Sequence, residues 1–137
     1  MLPSRIQHNV LCVKHALLVA LGGALGALSR YGVSSLVARR FGTGFPLGTL
    51  VINVTGCALI GFLLAALNGR WSGVNEGWEY FLPIGFVGAY TTFSTYEYEM
   101  ARLVEAGAFT RLAAYFLLSN AVGFAAVVGG IWLGRRA

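Results

Sequence analysis

Apolar residues dominate four stretches of the chain, 13–37, 48–67, 81–104 and 109–133, separated by short polar or turn-forming segments. A hydrocarbon core about 30 Å thick takes roughly 20 mostly apolar residues per helix, so each stretch is predicted to cross a membrane. The whole chain, 1–137, then reads as one all-α transmembrane domain. Residues 1 to 9 read as a polar tail, and Arg39, Arg40 and the Gly42-Thr-Gly-Phe-Pro46 turn close the first stretch. The polar loop 68–79 follows the second. Pro83 falls where a third helix would start, a position that tolerates a residue without an N–H.

The third stretch departs from the pattern. Gly85-Phe-Val-Gly-Ala-Tyr-Thr-Thr-Phe-Ser-Thr-Tyr96 carries four hydroxyl residues and two helix-weakening glycines in mid-stretch, and Glu97, Glu99 and Arg102 follow. Irregular backbone at membrane depth survives only where it is buried in protein or lines a wet cavity. A break near 88–92 is therefore expected, and with it the functional part of the molecule. Elsewhere small residues recur at helical spacing: Gly22 and Gly26 in the first stretch, and Gly123, Ala126 and Gly130 with Tyr115 and Ser119 in the last. Such positions let helices approach closely in lipid.

Composition narrows the choice of function. With 57% apolar and 11% charged residues, the chain belongs to the membrane class. The acidic residues are five glutamates, and His8 and His15 lie near the N-terminus without a carboxylate or cysteine cluster, so hydrolytic and metal chemistry lack material. No nucleophile with an adjacent base is visible, and an enzyme is not expected. Cys12 and Cys57 sit in apolar stretches, where cysteine acts as a small hydrophobe, and no disulfide is expected. The net charge of +5 is scattered, without the basic aromatic patch that nucleic acid would need. In a four-span arrangement Arg5, Lys14, Arg70, Arg135 and Arg136 fall on one side, and Arg30, Arg39, Arg40, Arg102 and Arg111 on the other. This balance removes the positive-inside bias, predicting insertion in both orientations and antiparallel pairing.

The polar residues in the middle of the spans are neutral. Thr49 and Asn53 share a face of the second span; Thr91, Thr92, Ser94 and Thr95 follow the break; Tyr115 and Ser119 lie on the fourth. Singly, each reads as interhelical glue. Together they form a lining that replaces the hydration of a small anion without holding it too long. Phe93 and Tyr96, three apart, offer ring edges of positive potential to an anion or simply pack. The break also releases backbone carbonyls of the kind that bind alkali cations.

The runs Gly22-Gly-Ala-Leu-Gly-Ala-Leu-Ser-Arg-Tyr31 and Gly48-Thr-Leu-Val-Ile-Asn-Val-Thr-Gly56, with the 85–96 block, resemble the Fluc (CrcB) fluoride channel family, in order and over nearly the whole chain. The resemblance implies an antiparallel dual-topology homodimer in the bacterial inner membrane, surrounded by lipid, that passively exports fluoride and lowers its toxicity. It implies a structural sodium ion on the dimer axis, held by the backbone carbonyls of Gly88 and Thr91 and not transported. It assigns Asn53, Phe93, Tyr96, Ser94, Thr95, Tyr115, Ser119 and Glu99 to the fluoride pathway beside Thr49, and Arg30 to the vestibule. From the residues alone Arg30 reads equally as a snorkelling interfacial anchor. Tyr96 stands where the family usually has its second phenylalanine, so conduction with an altered rate is expected. Gly123 stands where some members have a serine; Asn120 lies close by but points away on a helix. Ala89 replaces a frequent glycine.

Two other functions remain open at this level. A small multidrug-type proton-coupled exporter shares four spans and dual topology but depends on a carboxylate in the first span, which is absent here. A scaffold protein would use the polar residues only to join helices.

Overall fold

A computed structural model describes residues 4–74 and 77–137, with side chains from Leu11 onward, so expectations placed on Arg5 and His8 lie outside the described side chains. Helix α1 (Ser4–Phe41) turns at Gly42, whose φ of +79° only glycine adopts without strain, into α2 (Leu47–Leu67). The third segment, α3, joins a turn at Gly77–Glu79, a π-helical stretch Tyr80–Val87 and a closing turn Gly88–Tyr90. Thr91 and Thr92 are extended, α4 (Phe93–Glu105) resumes the helix, and α5 (Phe109–Gly134) ends the fold.

Three of these expectations are corrected. The region read as a polar tail is already helical at Ser4, because an established apolar helix propagates outward one residue at a time. Pro83 lies inside the third helix rather than at its start. In α-helical register its ring would meet the carbonyl one turn back, and the wider π-helical turn relieves that contact. The break is narrower than 88–92: Gly88 to Tyr90 remain helical, and only Thr91 and Thr92 leave the helical path.

Among the described residues three helices are long and apolar enough to cross a membrane: Leu11–Phe41, Leu47–Leu67 and Phe109–Gly134. Their outer faces carry exposed Leu17, Leu21, Leu25, Phe116, Leu117 and Phe124, an apolar surface that suits lipid and would aggregate in water. This is a multi-pass membrane protein.

Glycine sets the helix pairing. A Cβ on Gly22 or Gly26 would run into the carbonyls of Phe81 and Phe86, so α1 and α3 touch backbone to backbone. Gly61, Gly130 and Gly134 do the same between α2 and α5, against the carbonyls of Val127, Ala58 and Phe62. In lipid, where no hydrophobic drive separates helix from solvent, this close van der Waals contact holds the bundle. Ile52 and Tyr115 are the largest fully buried side chains. Cations mark the ends: Arg111 donates to the Gly44 carbonyl at 3.2 Å, and the Arg136 guanidinium lies 3.3 Å from the centre of the Trp132 ring.

Candidate functional site

The break in the third segment is held from α2. The Asn53 amide donates to the Thr92 carbonyl at 3.0 Å, and its Oδ1 accepts the Thr92 N–H at 2.9 Å. A side-chain amide offers the same donor and acceptor as a neighbouring strand, so it satisfies both backbone groups at membrane depth. Among the described residues one Asn53 amide hydrogen is left over.

Thr92 caps α4. Its Oγ1 accepts the Thr95 N–H at 3.3 Å and donates to Thr95 Oγ1 at 2.9 Å, which leaves the Thr95 hydroxyl proton for another acceptor. These contacts also explain which carbonyls the break releases. In a continuous helix Thr92 N–H would donate to Gly88 and Thr95 N–H to Thr91. Asn53 and the Thr92 hydroxyl take those two protons instead. Thr91 itself is tied back to Val87, through its N–H and its hydroxyl, both at 3.1 Å. It also packs onto Gly56, where a Cβ would collide with its methyl group.

A cavity of about 410 Å³ opens beside the break, lined by Asn53, Gly88, Thr91 and Thr92 on one side and Phe93, Tyr96, Ser119 and Asn120 on the other. Phe93 is 73% exposed in the single chain, whereas Tyr96, its ring 6.0 Å away, is 6% exposed. Tyr96 presents its ring to Tyr115 edge-on at 5.1 Å and 61°. Ser119 Oγ is buried at this wall without a hydrogen-bond partner among the described residues. Asn120 donates to the Tyr96 hydroxyl at 3.1 Å and to the Phe116 carbonyl at 2.8 Å.

Thr92 also lines a second cavity, of about 280 Å³, with Arg30, Thr49 and Thr95. A third, of about 290 Å³ beneath the Gly42–Pro46 turn, contains Thr49, Glu99 and Arg102. There the Glu99 carboxylate accepts from Thr49 at 2.9 Å and from the Tyr115 hydroxyl at 2.6 Å. Two hydroxyl donors take up one oxygen each, the arrangement that makes a partly buried carboxylate tolerable.

Asn53, Gly88, Thr91, Phe93, Tyr96 and Ser119 thus meet at one cavity, and Arg30, Thr49 and Thr95 at the next. Tyr115 and Glu99 form a separate pair joined to the second cavity through Thr49. Ser94 is exposed and lines none of the three. The expectation that Asn120 points away is corrected: it lines the main cavity and holds Tyr96. Thr92, counted only as one hydroxyl of four, turns out to stand between two cavities and to cap α4. Its signal was available in the Thr92-Phe-Ser-Thr95 spacing, in which a threonine precedes a helical run.

The sequence model of the family described as CrcB-like protein, Camphor Resistance (CrcB), matches residues 17–131. The chain belongs to the CrcB family. A relative from Acidobacterium capsulatum, named fluoride-specific ion channel FluC, is 49% identical over 118 residues, 86% of this chain and 94% of the relative. Proteins of the same name from Coxiella burnetii and Vibrio cholerae are 42% and 40% identical over 122 and 116 residues. These cover 89% and 84% of this chain, and 98% and 91% of the relatives. The CrcB match contains both sides of the break and every cavity residue from Arg30 to Asn120.

Proposed function

We propose that this CrcB-family protein is a fluoride-selective passive channel of the bacterial inner membrane that exports fluoride from the cytoplasm and lowers its toxicity. The family and its named relatives support ion conduction rather than enzymatic chemistry. The observation that carries the reading for this chain is the Asn53–Thr92 clamp, which holds open a broken helix between two cavities. Along those cavities stand neutral donors with protons to give: the second Asn53 amide hydrogen and the hydroxyls of Thr95, Tyr96 and Ser119. A small, strongly hydrated anion exchanges water for such donors in steps, and because none of these side chains carries a positive charge it also leaves them. Arg30, beside the second cavity, concentrates anions at the entrance.

The conducting unit in this reading is an antiparallel homodimer in which α3 and α4 together make a fourth crossing. Phe93 and Asn120 are exposed in one chain, and a mid-span asparagine facing lipid is costly, so a second copy covers that face. The balanced positive charges permit both orientations, and reporter fusions to the C-terminus are expected to score on both sides of the membrane.

A sodium ion fits the carbonyls of Gly88 and Thr91, whose helical proton donors are diverted by Asn53 and Thr92. Oxygen-only ligation suits a hard alkali cation. Among the described residues no cluster of His, Cys, Asp or Glu competes for a metal. The ion would tie two copies together and bias the site toward anions. The small multidrug-type alternative receives no support from α1, whose apolar span contains no carboxylate.

Fluoride-electrode recordings on liposomes containing the purified protein test the proposal. Fluoride efflux in sodium buffer with chloride retained is expected, and no fluoride efflux would overturn it.

A further inference from the structure

The channel reading leaves unexplained why a tyrosine stands at the inner end of the aromatic pair and why an asparagine sits on the bare face of α5. Tyr96 is buried to 6% exposure, yet its hydroxyl reaches the cavity wall, where Asn120 Nδ2 donates to it at 3.1 Å. The direction of that bond matters. A phenolic oxygen that accepts from an amide keeps its own proton, and among the described residues no acceptor takes it. Donation by Asn120 also polarises the hydroxyl and strengthens it as a donor.

The rest of the geometry fixes where that oxygen sits. The Tyr96 ring is trapped edge-on against the fully buried Tyr115 ring at 5.1 Å, so it has little freedom to swing. Asn120 is anchored in turn by its second contact, 2.8 Å to the Phe116 carbonyl of its own helix. Ser119, which lines the same cavity, has its Oγ buried without a partner among the described residues, a further hydroxyl with a proton to give. A buried hydroxyl without a partner marks a place where a ligand or water completes the set.

We propose that the Tyr96 hydroxyl is a binding station for a small hydrogen-bond-accepting anion, and that Asn120 is its positioning residue. The station rests on the channel reading and adds to it a contact that a phenylalanine at this position would not make. The ring at residue 96 then meets the anion through an O–H proton, and the neighbouring Phe93 meets it through a ring edge. The hydroxyl gives fluoride a shorter and stronger hydrogen bond than it gives chloride, which offsets part of the smaller ion's larger dehydration cost.

Fluoride and chloride efflux from liposomes would be compared for the unaltered protein, Tyr96→Phe, Asn120→Ala and the double variant, each checked for an unchanged size-exclusion profile. Each single variant is expected to pass fluoride about fivefold more slowly, the worth of one neutral hydrogen bond, with the double variant no slower than Tyr96→Phe. A merely structural role for Asn120 would slow the channel further in the Tyr96→Phe background, and that result overturns the positioning role. Tyr96→Phe at the unaltered rate overturns the station while leaving the channel reading intact. Absence of fluoride flux in the unaltered protein overturns the channel reading and the station with it.

Discussion

Asn53 and Thr92 are joined by two hydrogen bonds of 3.0 and 2.9 Å across 39 residues of chain, one in each direction, so that a single side chain satisfies both backbone groups at the break of the third segment. The pairing is reciprocal in its effect. Asn53 stabilises the extended backbone at Thr92, and the extended backbone fixes the Asn53 amide with one proton free beside the cavity.

Asn53→Leu, similar in size, leaves the Thr92 N–H and C=O without partners. A loss of about 2–5 kcal/mol in stability is expected, from two unsatisfied buried groups. Thermal unfolding in detergent reads the loss, and a melting temperature equal to that of the unaltered protein would show that the clamp does not hold the break.

Gly56→Ala places a methyl group against Thr91 and moves the carbonyls of the break. It is expected to weaken any stabilisation by sodium, read as a smaller difference in melting temperature between sodium and N-methylglucamine buffers. Gly123→Ser serves as the matched control, since a Cβ there meets only Cys57 Sγ at an ordinary 3.6 Å. Equal sodium responses in both variants would remove Gly56 and Thr91 from the cation site.

Phe93→Ile is expected to abolish fluoride flux without unfolding the protein. The ring is 73% exposed in the single chain and contributes little to its core, so its loss acts on the cavity and not on the fold. Undiminished flux with a normal elution profile would place Phe93 outside the pathway.

Tyr115→Phe deprives Glu99 of its 2.6 Å donor and leaves the Thr49 contact alone. The expected destabilisation is about 1–3 kcal/mol, since hydrogen bonds to a carboxylate are among the stronger ones. Glu99→Gln, which keeps one oxygen as an acceptor and turns the other contact round so that its amide N–H donates to the hydroxyl, is expected to lose less. The reverse order in denaturation midpoints would mean that the charge, and not the hydroxyl geometry, holds this end of the bundle.

Much of the architecture was legible in the chain. Long apolar stretches, the Gly22 and Gly26 spacing and the hydroxyl-rich 85–96 block are local patterns, and the physics behind them is local too: hydrocarbon demands about 20 apolar residues per helix and satisfied backbone groups. The π-helical stretch around Pro83 was not legible, because a proline at the start of an apolar run is as well suited to a first helical turn as to a widened turn inside a helix.

The sequence by itself determined that this is a helical membrane protein with a weak point near Gly88 to Thr92 and neutral hydroxyls around it. Only the tertiary structure decided where that weak point opens, at Thr91 and Thr92, and which protons remain free there. Composition limits which groups a helix carries. Which of those groups satisfy one another is a matter of distance across the bundle, and in the pairs Asn53 with Thr92, Thr49 with Glu99 and Asn120 with Tyr96 the partners lie 39, 50 and 24 residues apart.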